Sequence, residues 1–192
     1  GPVHSSPAVS RGLVIAATLG GRIFAVSEAT GKLSWSVQTG STLPRNITPA
    51  GEWDLYVSSP VVVDRTIVIG AGDGNVYALD LTTGKERWRL KTGGKVRATP
   101  SVRDGVAVVG AWDGRVYAID MATGRTRWVH RTVGDTLDLK REGYDRRAIQ
   151  STAAIAEGNV FFGSRDDGFY ALDFATGEQK WRSSHHTSWV VG

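Results

Sequence analysis

The side chains of this chain that could do chemistry are few, and their spacing does not bring them together. His185 and His186 are adjacent. In a strand they would point to opposite faces, whereas a metal site needs convergent ligands. Asp166-Asp167-Gly168 and Gly72-Asp73-Gly74 have the acidic and glycine residues of a calcium loop without its ligand spacing. Asn46-Ile47-Thr48 fits a glycosylation sequon, with Pro49 directly after it. No serine stands at a nucleophile elbow, and no glycine-rich loop opens a helix to cradle phosphate. With no cysteine in the sequence, disulfides and thiolate metal sites are excluded.

Arginine and aromatic residues do gather in two non-repetitive stretches. The first runs from Gln38 to Tyr56 and carries Arg45, Trp53, Asp54 and Tyr56. The second runs from Arg131 to Ile149 and carries Arg141, Tyr144, Arg146 and Arg147 among several acidic residues. Arg beside Tyr or Trp is the composition of protein-binding hot spots. Arg45, Trp53, Tyr56, Arg141, Tyr144, Arg146 and Arg147 are therefore the candidate partner contacts.

The elements that must position these stretches are legible from composition and repetition. The chain has 192 residues and a net charge of +4, with its basic residues spread along its length. Nucleic-acid binding would need a concentrated basic stripe with interleaved aromatics, so no nucleic acid is expected. No run approaches the roughly 20 apolar residues of a membrane helix. No signal peptide is visible, and the sequence begins Gly1-Pro2, as a piece of a longer protein or a processed secreted chain would. Its 24 glycines and 6 prolines fall at short intervals, the texture of an all-β protein with many tight turns.

Four segments align in register. They are Phe24 to Trp35, Tyr77 to Trp88, Tyr117 to Trp128 and Tyr170 to Trp181, sharing aromatic-Ala-apolar-Asp-x-x-Thr-Gly-x-x-x-Trp with Ser27 as the one departure from Asp. Each is preceded by a small polar pair, two short apolar runs and a turn bearing Gly-Gly or Asp-Gly. Such turns need positive φ and signal hairpins. Each repeat is thus a four-stranded antiparallel meander, which buries both faces only by stacking radially on its neighbours. The fold class is all-β, a β-propeller with four blades in this chain, read as one unit over 1–192. The blades fall at about 3–40, 56–93, 95–130 and 149–183, with 184–192 as the start of a further blade or a closing strand. Trp35, Trp88, Trp128 and Trp181 are expected to dock blade on blade. The alanine after each motif aromatic is expected to leave flat space for an indole from a neighbouring blade.

The repeated Ala-x-Asp-x-x-Thr-Gly-x-x-x-Trp resembles the tryptophan-docking motif of quinoprotein dehydrogenases and the wider PQQ-like repeat family. That family includes the propeller lipoprotein of the outer-membrane β-barrel assembly machinery and sensor domains of bacterial Ser/Thr kinases. The resemblance implies three functions: a protein-binding scaffold, part of a PQQ-dependent dehydrogenase, or a kinase ectodomain. PQQ and its calcium would lie in the central funnel, near His4, Tyr56, Arg97 and Gln150, where the sequence offers no acidic or amide cluster. The expectation is therefore a non-enzymatic module, without cofactor or metal, that binds a protein partner in the periplasm or outside the cell. The resemblance also implies seven or eight blades. Trp35 to Trp88 and Trp128 to Trp181 each span 53 residues and Trp88 to Trp128 spans 40, so the repeat unit is a pair of blades. Two copies forming a homodimer that completes an eight-bladed ring stand beside an incomplete ring as expectations.

Overall fold

The computed structural model describes residues 2–40, 57–137 and 145–184. They form four antiparallel sheets, each with its four strands in sequential order. Blade 1 comprises β1 (Ala8–Ser10), β2 (Leu13–Ala17), β3 (Arg22–Ser27) and β4 (Leu33–Gln38). Blade 2 comprises β5 (Val61–Val63), β6 (Thr66–Gly70), β7 (Asn75–Asp80) and β8 (Glu86–Lys91). Blade 3 comprises β9 (Ser101–Arg103), β10 (Val106–Gly110), β11 (Arg115–Asp120) and β12 (Thr126–Arg131). Blade 4 comprises β13 (Ala154–Ala156), β14 (Asn159–Gly163), β15 (Gly168–Asp173) and β16 (Gln179–Ser184). The all-β, bladed expectation is borne out.

The turns explain why each repeat folds as a meander. Arg11-Gly12, Asp104-Gly105 and Glu157-Gly158 hold consecutive positive φ values, the geometry that matches a two-residue hairpin to strand twist. The Thr-Gly turn is held by the motif aspartate. Asp80 Oδ1 accepts the N–H groups of Thr82 and Thr83 at 3.1 and 3.0 Å, and Asp80 Oδ2 accepts Arg87 at 2.7 Å. Asp120 and Asp173 repeat the pattern with Ala122 and Thr123, and with Ala175 and Thr176. The guanidinium of Arg127 holds the Asp120 carboxyl down, at about 2. In blade 1, where Ser27 replaces the aspartate, one bond remains, from Thr30 N–H to Ser27 Oγ at 3.3 Å.

In each blade the third and fourth strands slip register directly after the motif alanine. A bulge of this kind re-aims a side chain. The alanine lies opposite the tryptophan of its own blade: Ala25 faces Trp35, Ala78 faces Trp88, Ala118 faces Trp128 and Ala171 faces Trp181. The flat space is therefore used by the same blade's indole, not by a neighbour's as the sequence suggested. The indoles of Trp35, Trp88 and Trp128 each reach the next blade.

Three apolar cores lie between consecutive blades. One joins Ile15, Ile23 and Ala25 of blade 1 to Ile67, Ile69, Leu79 and Leu81 of blade 2. The next joins Val68 and Val76 to Val109, Tyr117 and Ile119. The third joins Val108, Val116 and Trp128 to Phe162, Tyr170 and Leu172. The small polar pairs before the inner strands tie this arrangement near its centre. Ser5, Ser58 and Ser151 accept the N–H groups of Ala17, Gly70 and Gly163 in their own blades at 2.8–3.0 Å. Ser59 Oγ accepts from Ser6 N–H, and Thr99 Oγ1 accepts from Ser59 N–H, linking successive blades.

Candidate interaction surface

Each internal joint is built from the same parts. The indole N–H of Trp35 donates to Leu81 O at 3.0 Å, that of Trp88 to Met121 O at 2.9 Å and that of Trp128 to Phe174 O at 3.0 Å. Each acceptor follows the motif aspartate of the next blade. The ring then lies on the glycine of that blade's Thr-Gly turn. A Cβ at Gly84, Gly124 or Gly177 would stand 2.5–2.7 Å from the indole of Trp35, Trp88 or Trp128. Positive φ (+69° to +75°) and indole contact both demand glycine there.

A second element of the joint lies on the opposite side of the blades. Asp73 Oδ2 accepts Tyr77 OH at 2.7 Å and Gly40 N–H, from the preceding blade, at 2.9 Å. Asp113 accepts Tyr117 OH at 2.5 Å and Gly93 N–H at 2.8 Å. Asp166 accepts Tyr170 OH at 2.6 Å and Gly134 N–H at 2.9 Å. This Tyr–Asp latch was not foreseen, because the aspartates were absorbed into a turn. The signal was present: Asp stands four residues before each motif tyrosine in blades 2 to 4. Blade 1 has Gly20 and Phe24 at the two positions, so it lacks both halves together.

Burial and then the hydrogen bond to its aspartate push each of Tyr77, Tyr117 and Tyr170 up to about 12. Burial raises Asp73, but bonds from Tyr77, Asn75 and Gly40 outweigh it and hold the carboxyl below its usual range. A tyrosine whose folded pKa exceeds its unfolded value near 10 stabilises the fold fully below about pH 10. That contribution is lost as pH rises toward 12. Absorbance titration at 295 nm is therefore expected to show at least three of the five tyrosines still protonated at pH 11, ionising as the chain unfolds. Ordinary titration of all five near pH 10 would refute the latch.

Of the candidate partner contacts, Arg45, Trp53, Tyr56, Arg141 and Tyr144 lie outside the described residues. Arg146 and Arg147 are half-buried and turned onto the protein. Arg146 Nη2 pairs with Asp167, from the β14–β15 turn, and Arg147 pairs with Asp145 at 3.2 Å. Of the positions assigned to the funnel, His4 is exposed, Arg97 is buried with its guanidinium against Gly72, and Gln150 is buried. Tyr56 lies outside the described residues.

Beside the inner strands of blades 3 and 4, the buried Trp112 ring is approached by Lys95 Nζ at 4.8 Å and Arg165 Cζ at 5.5 Å from its centroid. Both amide atoms of Gln150 and the Trp112 N–H are buried without a hydrogen-bond partner among the described residues. No group of three His, Asp or Glu side chains able to hold a metal occurs among the described residues.

The family model described as outer membrane protein assembly factor BamB matches residues 1–58 and 50–182. The chain is 38% identical over 96 residues to quinohemoprotein alcohol dehydrogenase ADH-IIG of Pseudomonas putida, a match covering 47% of this chain and 12% of that protein. It is 32% identical over 105 residues to the serine/threonine-protein kinase AfsK of Streptomyces griseus, covering 52% and 11%. The crystal structure of BamB from Moraxella catarrhalis superposes with a TM-score of 0.74 at 24% identity, over 94% of this chain and 51% of that one. The chain thus spans about half or less of the proteins it matches. With four in-register repeats, their shared joints and a family match across nearly its whole length, this chain belongs to the PQQ-like repeat propeller family of outer membrane protein assembly factor BamB.

Proposed function

We propose that this chain is a non-catalytic propeller module for protein–protein assembly, working in the periplasm or outside the cell. One observation carries the reading: nine aspartates among the described residues are engaged in latches between blades, in turns and in ion pairs. Asp73, Asp113 and Asp166 form latches. Asp80, Asp120 and Asp173 hold turns. Asp135, Asp145 and Asp167 pair with Arg115, Arg147 and Arg146. The family description, an assembly factor, supports the same reading. The protein partner meets the two long connections, through Arg45, Trp53, Tyr56, Arg141 and Tyr144, with Arg146 and Arg147 bracing the second. The chain uses neither PQQ nor calcium.

The test has two arms. Trp53→Ala with Arg141→Ala is expected to weaken co-purification with outer-membrane assembly proteins about 30-fold, as loss of a hot spot of about 2 kcal/mol does, with the melting temperature unchanged. Titration with PQQ and Ca²⁺ is expected to give no bound-quinone spectrum. A stoichiometric quinone complex would overturn the proposal in favour of a dehydrogenase.

A further inference from the structure

The turn between the second and third strands of every blade has one backbone position at positive φ. It is filled by Gly21 (+81°), Gly74 (+79°), Gly114 (+78°) and Asp167 (+64°). Glycine takes this conformation at no steric cost. In blades 2 and 3 space demands glycine as well. A Cβ at Gly74 would stand 2.8 Å from Gly94 O, and one at Gly114 would stand 2.5 Å from Asp135 N. Of the four blades, only blade 4 places a side chain there. Aspartate is among the few side chains that the left-handed region admits. Its carboxylate reaches another segment: Asp167 Oδ2 accepts Arg146 Nη2, 21 residues away along the chain.

Arg146 lies at the returning end of the second long connection, and the outgoing end is held on the same turn. Asp166 Oδ2 accepts Gly134 N–H at 2.9 Å, and Tyr170 OH accepts Val133 N–H at 3.1 Å. The turn itself is braced. Asp166 Oδ1 accepts Gly168 N–H at 2.9 Å, and Arg182, from β16, donates to Asp166 O and to Tyr170 OH at 3.0 Å each. The side chains of Arg146 and Asp167 are only 19% and 28% exposed, so salt screens this pair less than a fully exposed one. The short connection between blades 2 and 3 has the outgoing half alone: Asp113 accepts Gly93 N–H, and Gly114 offers no side chain.

We infer that Asp167 is a positioning residue for partner binding. With Asp166 it forms a two-point clamp. Asp166 holds the second connection where it leaves blade 3, and Asp167 holds it where it returns to blade 4. The inference rests on the proposed assembly function, in which this connection meets the protein partner. A segment fixed at both ends gives up less freedom on binding than one fixed at a single end. The fold itself does not need the second point, since the joints between blades 1 and 2 and between blades 2 and 3 are complete with glycine in that place.

Asp167→Gly installs the residue of the other three blades and separates positioning from folding. Its melting temperature is expected within about 4 °C of wild type, because glycine relaxes the backbone where the ion pair is lost. Trypsin cleavage after Arg146, read by mass spectrometry of the first products, should be about 10-fold faster, since cleavage follows the fraction of time a segment stands open. Co-purification with outer-membrane assembly proteins should weaken about 10-fold. Arg146→Ala in the Asp167→Gly background should weaken it no further, because the pair is already broken. If the two losses add, the residues act separately and the clamp is overturned, as it is by an unchanged cleavage rate. A larger fall in melting temperature would make Asp167 a residue of the fold and overturn its positioning role. Binding that persists in Asp167→Gly but is weakened by Trp53→Ala with Arg141→Ala overturns this inference and leaves the assembly function standing. Binding that persists in both overturns both.

Discussion

Trp128→Ala will lower the stability of the chain by about 3–5 kcal/mol, the cost of emptying an aromatic site in a packed core. Trp128 is 9% exposed, belongs to the core between blades 3 and 4, and donates to Phe174 O. Its removal takes away the apolar seat on Gly177 and leaves that carbonyl without the indole. The same change at Trp181, 45% exposed, will cost within about 1 kcal/mol. Denaturant midpoints of the two variants give the comparison directly. Equal losses would mean that burial by the neighbouring blade contributes nothing, and the joint would have to be redrawn.

The second large effect is at the other side of the same joint. Gly177→Ala meets two penalties. Its φ of +75° strains any residue with a Cβ, at about 1–2 kcal/mol, and that Cβ would stand 2.5 Å from the indole of Trp128, adding overpacking of about 1–3 kcal/mol. A total of about 2–5 kcal/mol is expected. Gly105→Ala isolates the strain, because its φ is +72° and nothing lies within 4 Å of a Cβ there. It should cost only about 1–2 kcal/mol. Gly177→Ala placed in a Trp128→Ala background should likewise fall to about 1–2 kcal/mol, since the clash has gone. If the two changes simply add, the glycine is not there for the ring.

The repeat made the fold legible. Aromatic-Ala-apolar-Asp followed by Thr-Gly and Trp recurs four times in register, and each residue has a local job that can be read without coordinates. Asp80 accepts from residues two and three positions ahead, and Thr83 is part of the same turn. Interactions that cross blades were harder to read. Asp73 looked fully explained by its turn, yet its second oxygen reaches Gly40, 33 residues away. Arg146 looked free to meet a partner, but the β14–β15 turn brings Asp167 to it from 21 residues along. The sequence placed a neighbour's indole over each motif alanine, because the strand register that sets it opposite its own blade's tryptophan leaves no mark in composition. The stretches richest in Arg, Trp and Tyr, around Trp53 and Tyr144, fall outside the repeat, so periodicity gave no position for them.

The direction of the joints has a consequence for synthesis. Every indole seat, and every latching aspartate, belongs to the blade that follows. Trp35 and Trp128 each wait for a carbonyl 46 residues downstream, and Trp88 for one 33 residues downstream. At about 5–20 residues per second a nascent blade therefore carries a bare tryptophan face for about 2–10 s before its successor emerges. Each new blade covers the last face and exposes its own, so one sticky surface travels with the growing end. That moving face is where a holding chaperone would bind, and where a stalled chain would aggregate.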